Sequence, residues 1–193
     1  MIPNVDPLQH FDCQILRVER PQALLAYRAS FVGAYQTIFA DPPYSERVFP
    51  NEAGSVLALS LQTPGNITLL VVRGATQVIG FAMGVPLVAR PDIYRDMGGL
   101  MPVSHTFYLS DLGVLPAYRN KGLGGLLLQE RLKAIDTHVF SHAVLRTTAN
   151  KNVSQKIYDA AGFEDIGVVQ EVSARRMDGG VRTDRRLLLS KRF

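Results

Sequence analysis

Two strand-helix pairs follow one another in the second half of the sequence, and this alternation constrains the fold more than any other feature. Apolar periodicity predicts a strand at His105–Val114, a helix at about Gly122–Val139, a second strand at His142–Thr147 and a helix at about Asn152–Ala161. Strands joined by a crossover helix lie parallel in one sheet. The sequence therefore predicts a parallel strand pair.

Antiparallel elements surround this pair. Helical spacing is found at Gln22–Phe39 and Glu46–Leu61, where Pro50 either kinks the second helix or marks its true start. Strand patterns follow at Asn66–Val72 and Gln77–Leu87, then a long loop at Arg90–Ser104, and finally a hairpin of Phe163–Met177 and Val181–Leu189 across Asp178-Gly179-Gly180. We predict an α/β fold with a mixed, mostly antiparallel twisted sheet and helices on both faces.

Composition is typical of one globular domain over residues 1–193. Hydrophobic residues make up 47% of the chain and charged residues 20%. No apolar run approaches the roughly 20 residues of a spanning helix, and Met1–His10 lacks the pattern of a signal peptide. The single cysteine, Cys13, cannot form an internal disulfide. We therefore expect a cytoplasmic protein without a membrane partner, and a homodimer is the default assembly.

The net charge of +4 would suit a polyanionic partner. The late basic residues alternate with apolar positions, which favours a solvated sheet edge over a nucleic-acid site. They are Arg175, Arg176, Arg182, Arg185, Arg186, Lys191 and Arg192. The four histidines, His10, His105, His138 and His142, lack the spacing of metal ligands, so no metal site is predicted.

A glycine-rich segment joins the first strand of the parallel pair to its helix. It reads Arg119-Asn120-Lys121-Gly122-Leu123-Gly124-Gly125. Glycines let backbone N–H groups approach an anion, and a helix start adds positive potential. Arg119 can bind phosphate oxygens bidentately, whereas Lys121 adds a point charge. The spacing fits neither a P-loop nor a dinucleotide fingerprint. A phosphate site is predicted, with a turn needed only for packing as the alternative.

This segment resembles the R/Q-x-x-G-x-G/A signature of the GNAT superfamily of acyl-CoA N-acyltransferases. The strand end Leu112-Gly113-Val114-Leu115-Pro116 precedes it, as in that family. Downstream, Asn150 and Asn152 lead into Tyr158-Asp159-Ala160-Ala161-Gly162-Phe163, which is similar to the family's Asn…Tyr…Gly-Phe helix. The resemblance extends over Tyr108–Phe163.

The resemblance implies acetyl-CoA as cosubstrate and no metal. The backbone from Arg119 to Gly125 would bind the pyrophosphate, and the strand edge formed by Leu112, Gly113 and Val114 would bind the pantetheine arm where the parallel strands splay. Asn150 or Asn152 would also contact the cofactor. Tyr158 would protonate the leaving thiolate, with a core tyrosine as the alternative.

Acetyl transfer also needs a group that removes a proton from the acceptor amine. Strand alternation predicts that Tyr108 and Ser110 share a face with Leu112 and Val114, and that Asp111 points to the opposite face with Leu109. We therefore expect a water held by Tyr108 or Ser110 to relay the proton, with Asp111 or the long loop as a further participant.

The acceptor is predicted to be the primary amine of a small molecule, bound near Tyr35 and Tyr44, with core packing as the alternative role of these two tyrosines. The long loop and the aromatic end of the first helix could enclose such a pocket. A protein lysine or N-terminus as acceptor, and an acyl-CoA sensor without catalysis, stay open as alternatives. Steeply salt-dependent binding would instead indicate a nucleic-acid partner.

Overall fold

One seven-stranded sheet organises the computed structural model, which describes residues 6–97, 99–149 and 153–193. The strand order is β1-β2-β3-β4-β5-β7-β6. The strands are β1 Cys13–Arg17, β2 Ile67–Arg73, β3 Gln77–Pro86, β4 Thr106–Val114, β5 His142–Thr148, β6 Glu164–Arg175 and β7 Val181–Arg192. Within these ranges, β4 and β5 run parallel and the other neighbours run antiparallel. The predicted mixed sheet and its parallel pair are confirmed.

Helices cover both faces of the sheet, as predicted. They are α1 Pro7–Phe11, α2 Arg28–Ala40, α3 Pro50–Gln62, α4 Pro91–Tyr94, α5 Leu123–Lys133 and α6 Val153–Ala160. Helix α3 begins at Pro50, because proline fits the first turn of a helix, where its missing N–H is not needed. The first predicted helix is interrupted instead: a short 3-10 turn, Pro21–Leu24, precedes α2.

Three apolar clusters fill the space between these layers. Helices α2 and α3 pack on one face of the sheet through residues such as Phe31, Leu57 and Phe81, whereas α5 and α6 pack on the opposite face against Leu109 and its neighbours. None of the described helices combines the length and the apolar character needed to cross a bilayer.

The third cluster corrects the predicted long loop. Short helical turns, including α4, occupy this region, and they bury Ile93 and Met97 against Tyr108 and Val144. The apolar side chains of Ile93, Met97 and Met101 recur every four residues and pack in this third cluster. The segment is therefore part of the folded body beside β4.

A β-bulge in β4 corrects the predicted faces of that strand. Leu109 pairs with Gly84 and Leu112 pairs with Ala82, so two residues of β4, Ser110 and Asp111, lie opposite one residue of β3. An extra residue in one strand reverses which face the following side chains occupy. Leu112 and Val114 consequently share the face of Leu109.

The bulge moves two predicted site residues. Tyr108 lies on the face opposite Leu109 and packs in the third cluster. The carboxylate of Asp111 accepts a hydrogen bond from Tyr35 of α2. The prediction that Tyr108 shares a face with Leu112 and Val114 is therefore wrong, as is the placement of Asp111 with Leu109, because simple alternation does not hold across a bulge.

Candidate active site

The two parallel strands separate at the centre of the sheet. Their pairing starts at Thr106 and His142 and ends at Leu109 and Leu145. Beyond that point β4 continues along β3, whereas β5 continues along β7. The separation leaves the last residues of β4 with an edge that faces a cleft instead of a neighbouring strand.

Two cavities, of about 490 Å³ and about 530 Å³, lie on either side of the segment Pro43-Tyr44, which lines both. The larger one, of about 530 Å³, lies at the strand separation and is called the cofactor cavity here. Its lining includes the predicted cofactor-binding residues Leu112, Gly113, Val114, Arg119, Asn120, Gly122, Gly124 and Gly125. Residues distant in sequence thus meet where the motif predicted a ligand.

The start of α5 forms one end of the cofactor cavity. Asn120 and Gly122 have positive φ angles of 59° and 87°, so the backbone turns sharply before the helix begins at Leu123. Gly122 provides no side-chain cap for the first turn. The first intrahelical bond there is donated by Leu126 to the Gly122 carbonyl. The preceding backbone N–H groups are therefore available to an anion.

The side chain of Arg119 is engaged in fastening this loop. Its Nε donates to the Val114 carbonyl oxygen at 3.0 Å, and its Nη1 forms an ion pair with Asp41. Two of the guanidinium nitrogens that could contact a phosphate are therefore already engaged within the protein. Lys121 is exposed, whereas the side chain of Leu123 is buried in the core, which leaves only its backbone toward the site.

Tyr158 of α6 lines the cofactor cavity opposite β4. Its ring is half-buried and packs edge-on against Phe163 at 6.1 Å between centroids. Burial raises the pKa of the Tyr158 hydroxyl to about 12, and the cation of Arg131 opposes this rise. The phenol is therefore protonated at neutral pH and can donate a proton. The other predicted cofactor residues of this region, Asn150 and Asn152, lie outside the described residues.

Asp111 is the residue that sequence reasoning placed on the wrong side. Its Oδ2 accepts a hydrogen bond of 3.3 Å from the Tyr35 hydroxyl. Burial raises the pKa of the Asp111 carboxyl, opposed chiefly by Arg90 and by the Tyr35 bond. Among the described residues it has no salt-bridge partner. A half-buried carboxyl of this kind can accept a proton.

The two residues predicted to hold a relay water occupy different environments. Tyr108 is buried, and the Arg90 guanidinium lies 4.7 Å from the centre of its ring. Burial raises the pKa of Tyr108. Ser110 is half-buried in the bulge, and its carbonyl oxygen accepts a long hydrogen bond of 3.5 Å from Arg131.

The second cavity, called the acceptor cavity here, measures about 490 Å³. Its lining is largely polar, and it consists of Pro43, Tyr44, Thr148, Ala149, Thr183, Asp184, Arg185 and Arg186. Tyr44, one of the two residues predicted near the acceptor, is part of this lining. Tyr35 lines neither cavity, since its ring is buried between Phe31, Phe39 and Phe81.

Backbone contacts tie the loop of residues 41–49 to the β6–β7 hairpin. Arg47 N donates to the Arg175 carbonyl at 2.9 Å, and Met177 N donates to the Ser45 carbonyl at 3.0 Å. Glu46 and Arg176 form an isolated antiparallel bridge between the two bonds. We call the loop of residues 41–49, held by these contacts, the strap. It contains Tyr44, which lies between the two cavities.

A buried charge network supports the strap. Arg186 Nη2 lies 2.8 Å from Glu46 and 3.0 Å from Asp184, and Arg176 Nη2 lies 2.6 Å from Asp184. Arg176 also donates to the Tyr44 carbonyl, and the Arg186 guanidinium lies 5.0 Å from the centre of the Tyr44 ring. Two cations balance two carboxylates in this network.

The network corrects part of the predicted solvated edge. Arg175 and Arg182 form exposed ion pairs with Glu52 and Asp178, as an edge would. Arg176 and Arg186 are buried instead, because the strap covers them and supplies Glu46, while Asp184 of β7 supplies the second carboxylate. No group of three or more potential metal ligands occurs among the residues in the described ranges.

Comparison with protein families relates the chain to known proteins. The sequence model described as the acetyltransferase (GNAT) family matches residues 26–163, which is more than half of the chain. The match includes β4, the glycine-rich loop, α5 and α6. No curated protein matches the chain significantly in sequence.

Solved structures share the fold at low sequence identity. A ribosomal-protein-alanine N-acetyltransferase from Brucella melitensis is 18% identical, with a TM-score of 0.66 over 93% of this chain and 99% of that one. A GNAT acetyltransferase from Streptococcus pneumoniae is 19% identical, with a TM-score of 0.61 over 94% and 99%. A structure assigned as a phosphinothricin N-acetyltransferase is 20% identical, with a TM-score of 0.65 over 94% and 98%.

Proposed function

The chain belongs to the GNAT acetyltransferase family, and we propose that it transfers an acetyl group from acetyl-CoA to the primary amine of a small molecule. The transfer is direct, by attack of the amine within a ternary complex. One observation carries this proposal: the two cavities share Pro43 and Tyr44 in their linings, so a donor in one and an acceptor in the other would lie on either side of the same short segment.

The residues that line the cofactor cavity could bind the pyrophosphate, the pantetheine arm and the thioester of acetyl-CoA, in that order. Backbone N–H groups at the start of α5 bind the pyrophosphate, aided by the positive end of the helix. The free edge of β4 at Leu112–Val114 hydrogen-bonds the pantetheine arm. At the end of this edge, the Val114 amide polarises the thioester carbonyl.

The acceptor cavity supports a small-molecule amine. Its volume of about 490 Å³ lies within the usual range of about 300–1,000 Å³ for small-molecule sites. The strap is fastened to the β6–β7 hairpin beside this cavity, and we expect it to hinder the entry of an extended polypeptide. Thr148 and Thr183 place hydroxyl groups in its lining that can hydrogen-bond a polar ligand.

Asp111 is the general base in this proposal, and Tyr158 is the general acid. A lysine-like amine has a pKa of about 10.4 and must lose a proton before it attacks. Asp111 lines neither cavity, so it accepts that proton through water; its raised pKa and the absence of an ion-pair partner among the described residues suit this role. Tyr158 donates its proton to the departing thiolate. Asp111 therefore replaces the relay first expected of Tyr108 and Ser110.

An acceptor screen tests the function. Purified protein is titrated calorimetrically with acetyl-CoA, with desulfo-CoA and ATP as controls, and thiol release is then followed with polyamines, amino acids, amino sugars and two peptides. One peptide offers a free N-terminus and the other an internal lysine. We expect saturable acetyl-CoA binding and amine-dependent thiol release that is fastest with a small amine.

Each contrary outcome identifies what is wrong. Faster turnover of a peptide would replace the small-molecule acceptor by a protein. Binding without transfer to any amine would favour an acyl-CoA sensor. Absence of acetyl-CoA binding would overturn the proposed cofactor site.

A further inference from the structure

Helix α5 carries an arginine where its apolar face meets the sheet. Arg131 is only 1% exposed and follows Leu123 and Leu127 at successive steps of four residues. Helix residues at this spacing lie on one face, and that face is otherwise apolar here. A charge is expensive to bury, so a functional reason is needed for this arginine.

The guanidinium of Arg131 reaches the bulge of β4. Nη1 donates to the Met83 carbonyl oxygen at 2.8 Å and approaches the Ser110 carbonyl oxygen at 3.5 Å. Met83 is the β3 residue opposite the bulge. Arg131 therefore connects the two strands at the position where their regular pairing is interrupted. Its buried Nε has no hydrogen-bond partner among the described residues.

The groups that act electrostatically on Arg131 are those of the proposed chemistry. Burial lowers the pKa of its guanidinium to about 10, and Tyr158, Asp111 and Tyr108 oppose this effect. The side chain consequently stays charged at neutral pH. Among the described residues no carboxylate forms a salt bridge with it, so the cation is not neutralised by direct contact.

We propose that Arg131 is a positioning residue for the acetyl transfer. It holds the bulge that turns Asp111 toward α2, and its buried cation stabilises negative charge on Asp111 and on Tyr158. The inference rests on the proposed function for the roles of these two groups. It adds a residue that touches neither substrate but sets the geometry and charge of both proton-transfer groups.

Other titratable groups, four tyrosines and two arginines, also face Asp111, and the experiment must separate their effects from that of Arg131. They are Tyr35 from α2, Tyr44 from the strap, Arg90 beside α4, Tyr108 from β4, Arg146 from β5 and Tyr158 from α6. Arg90 is already bonded to Asp92 through two nitrogens, and Arg146 donates to Gln170. Of the three arginines, Arg131 is the one bonded to the β4 backbone.

The test measures the pKa of Asp111 directly and in the reaction. Carbon-13 NMR of labelled aspartate gives this pKa, with the signal assigned by its absence in Asp111→Asn. The dependence of kcat/KM on pH gives the same pKa during the reaction. Its acid limb is the low-pH range in which the rate falls because Asp111 becomes protonated. Arg131→Gln removes the charge and keeps a donor, Arg131→Met is a second neutral variant, and Arg131→Lys keeps the charge. Lys133→Gln, at an exposed position on the same helix, is the control.

We expect the neutral variants to raise the pKa of Asp111 by about one unit, because a nearby cation favours the carboxylate. The acid limb should move to higher pH by the same amount, and turnover should fall about tenfold to a hundredfold. Arg131→Lys should keep the wild-type acid limb, and Lys133→Gln should change neither quantity. If both neutral variants fail to fold, Arg131→Lys should gain an alkaline limb as its buried ammonium deprotonates.

An unchanged Asp111 pKa in a folded neutral variant would overturn the proposal. So would an equal shift in Arg131→Lys and Arg131→Gln, because charge would then not be the cause. If only Arg131→Lys folds, absence of the new alkaline limb has the same meaning. A wild-type protein that transfers no acetyl group would contradict the proposed function alone, since the NMR pKa still reports the link between Arg131 and Asp111.

Discussion

The hydroxyl group of Tyr35 donates a hydrogen bond of 3.3 Å to Oδ2 of Asp111, and this bond joins α2 to the bulge of β4. A donor to the charged form of a carboxyl group lowers its pKa. In Asp111 this effect opposes burial, which dominates and raises the pKa. Tyr35 therefore adjusts the pH range in which Asp111 can accept a proton.

Asp111→Asn should abolish most turnover because it removes the proposed base. We expect a loss of about 10²–10⁴-fold in kcat, the usual contribution of a general acid or base. The dissociation constant for acetyl-CoA should change little, since Asp111 does not line the cofactor cavity. Steady-state kinetics and calorimetry measure the two quantities. Wild-type turnover in the variant would remove Asp111 from the mechanism.

Tyr35→Phe should move the acid limb of kcat/KM to higher pH. The rate falls where Asp111 becomes protonated, and loss of the Tyr35 hydrogen bond raises the pKa at which this happens. We expect a shift of up to about one unit, because one unit corresponds to about 1.4 kcal/mol. A pH–rate profile of both proteins measures it. A limb that stays in place or moves to lower pH would contradict the role of this bond.

Tyr158→Phe should slow the reaction while acetyl-CoA still binds. We expect kcat to fall about 10²-fold or more, because the thiolate then leaves without a proton donor. Tyr118→Phe is the control, since Tyr118 also loses a hydroxyl but contacts Phe11 and Arg73 outside the cofactor cavity. Equal losses in the two variants would indicate a packing role for Tyr158.

Gly125→Leu should block the cofactor cavity without disturbing the fold. Gly125 lines this cavity, and a Cβ atom added to it meets nothing within 4 Å. The larger side chain should weaken acetyl-CoA binding at least about tenfold, or about 1.4 kcal/mol. Gly33→Leu is matched to it, because Gly33 is an exposed helix residue with equally open space. Calorimetry that finds both variants binding like the wild type would contradict the location of the site.

Arg176→Met should destabilise the protein through the strap. The change leaves Asp184 without its contact to Arg176 and removes the donor to the Tyr44 carbonyl. Asp184 keeps its ion pair with Arg186, so the main loss is the buried donor to the Tyr44 carbonyl, and we expect a cost of about 1–3 kcal/mol of unfolding free energy. Arg182→Met removes an exposed pair with Asp178 and should reduce the stability much less, because solvent screens these two charges. Urea unfolding measures the unfolding free energy of both variants. Equal losses would contradict a structural role of the strap.

Much of the fold could be predicted from the sequence because apolar periodicity determines which elements form. The parallel pair, the hairpins and the glycine-rich helix start all followed from local patterns, and most cofactor-cavity residues were named from the motif. Arg131 left a signal as well: it lies at helical spacing from Leu123 and Leu127, but a basic residue is normally interpreted as exposed.

The faces of β4 could not be predicted in the same way. The bulge at Ser110 and Asp111 depends on pairing with β3, which is distant in sequence, and no residue type at that point requires it. The buried state of Arg176 and Arg186 likewise depends on partners from the 41–49 loop, the Tyr44 carbonyl and Glu46. Contacts between distant segments, rather than local preference, decided both positions.

Tyr44 lines the cofactor cavity and the acceptor cavity at once. In the proposed function, a substrate in one cavity that displaces Tyr44 would change the shape of the other cavity. The binding equilibria of the two substrates would then be joined by a coupling free energy, which must be the same whichever substrate binds first. One shared residue would thus make the affinities for donor and acceptor reciprocal quantities.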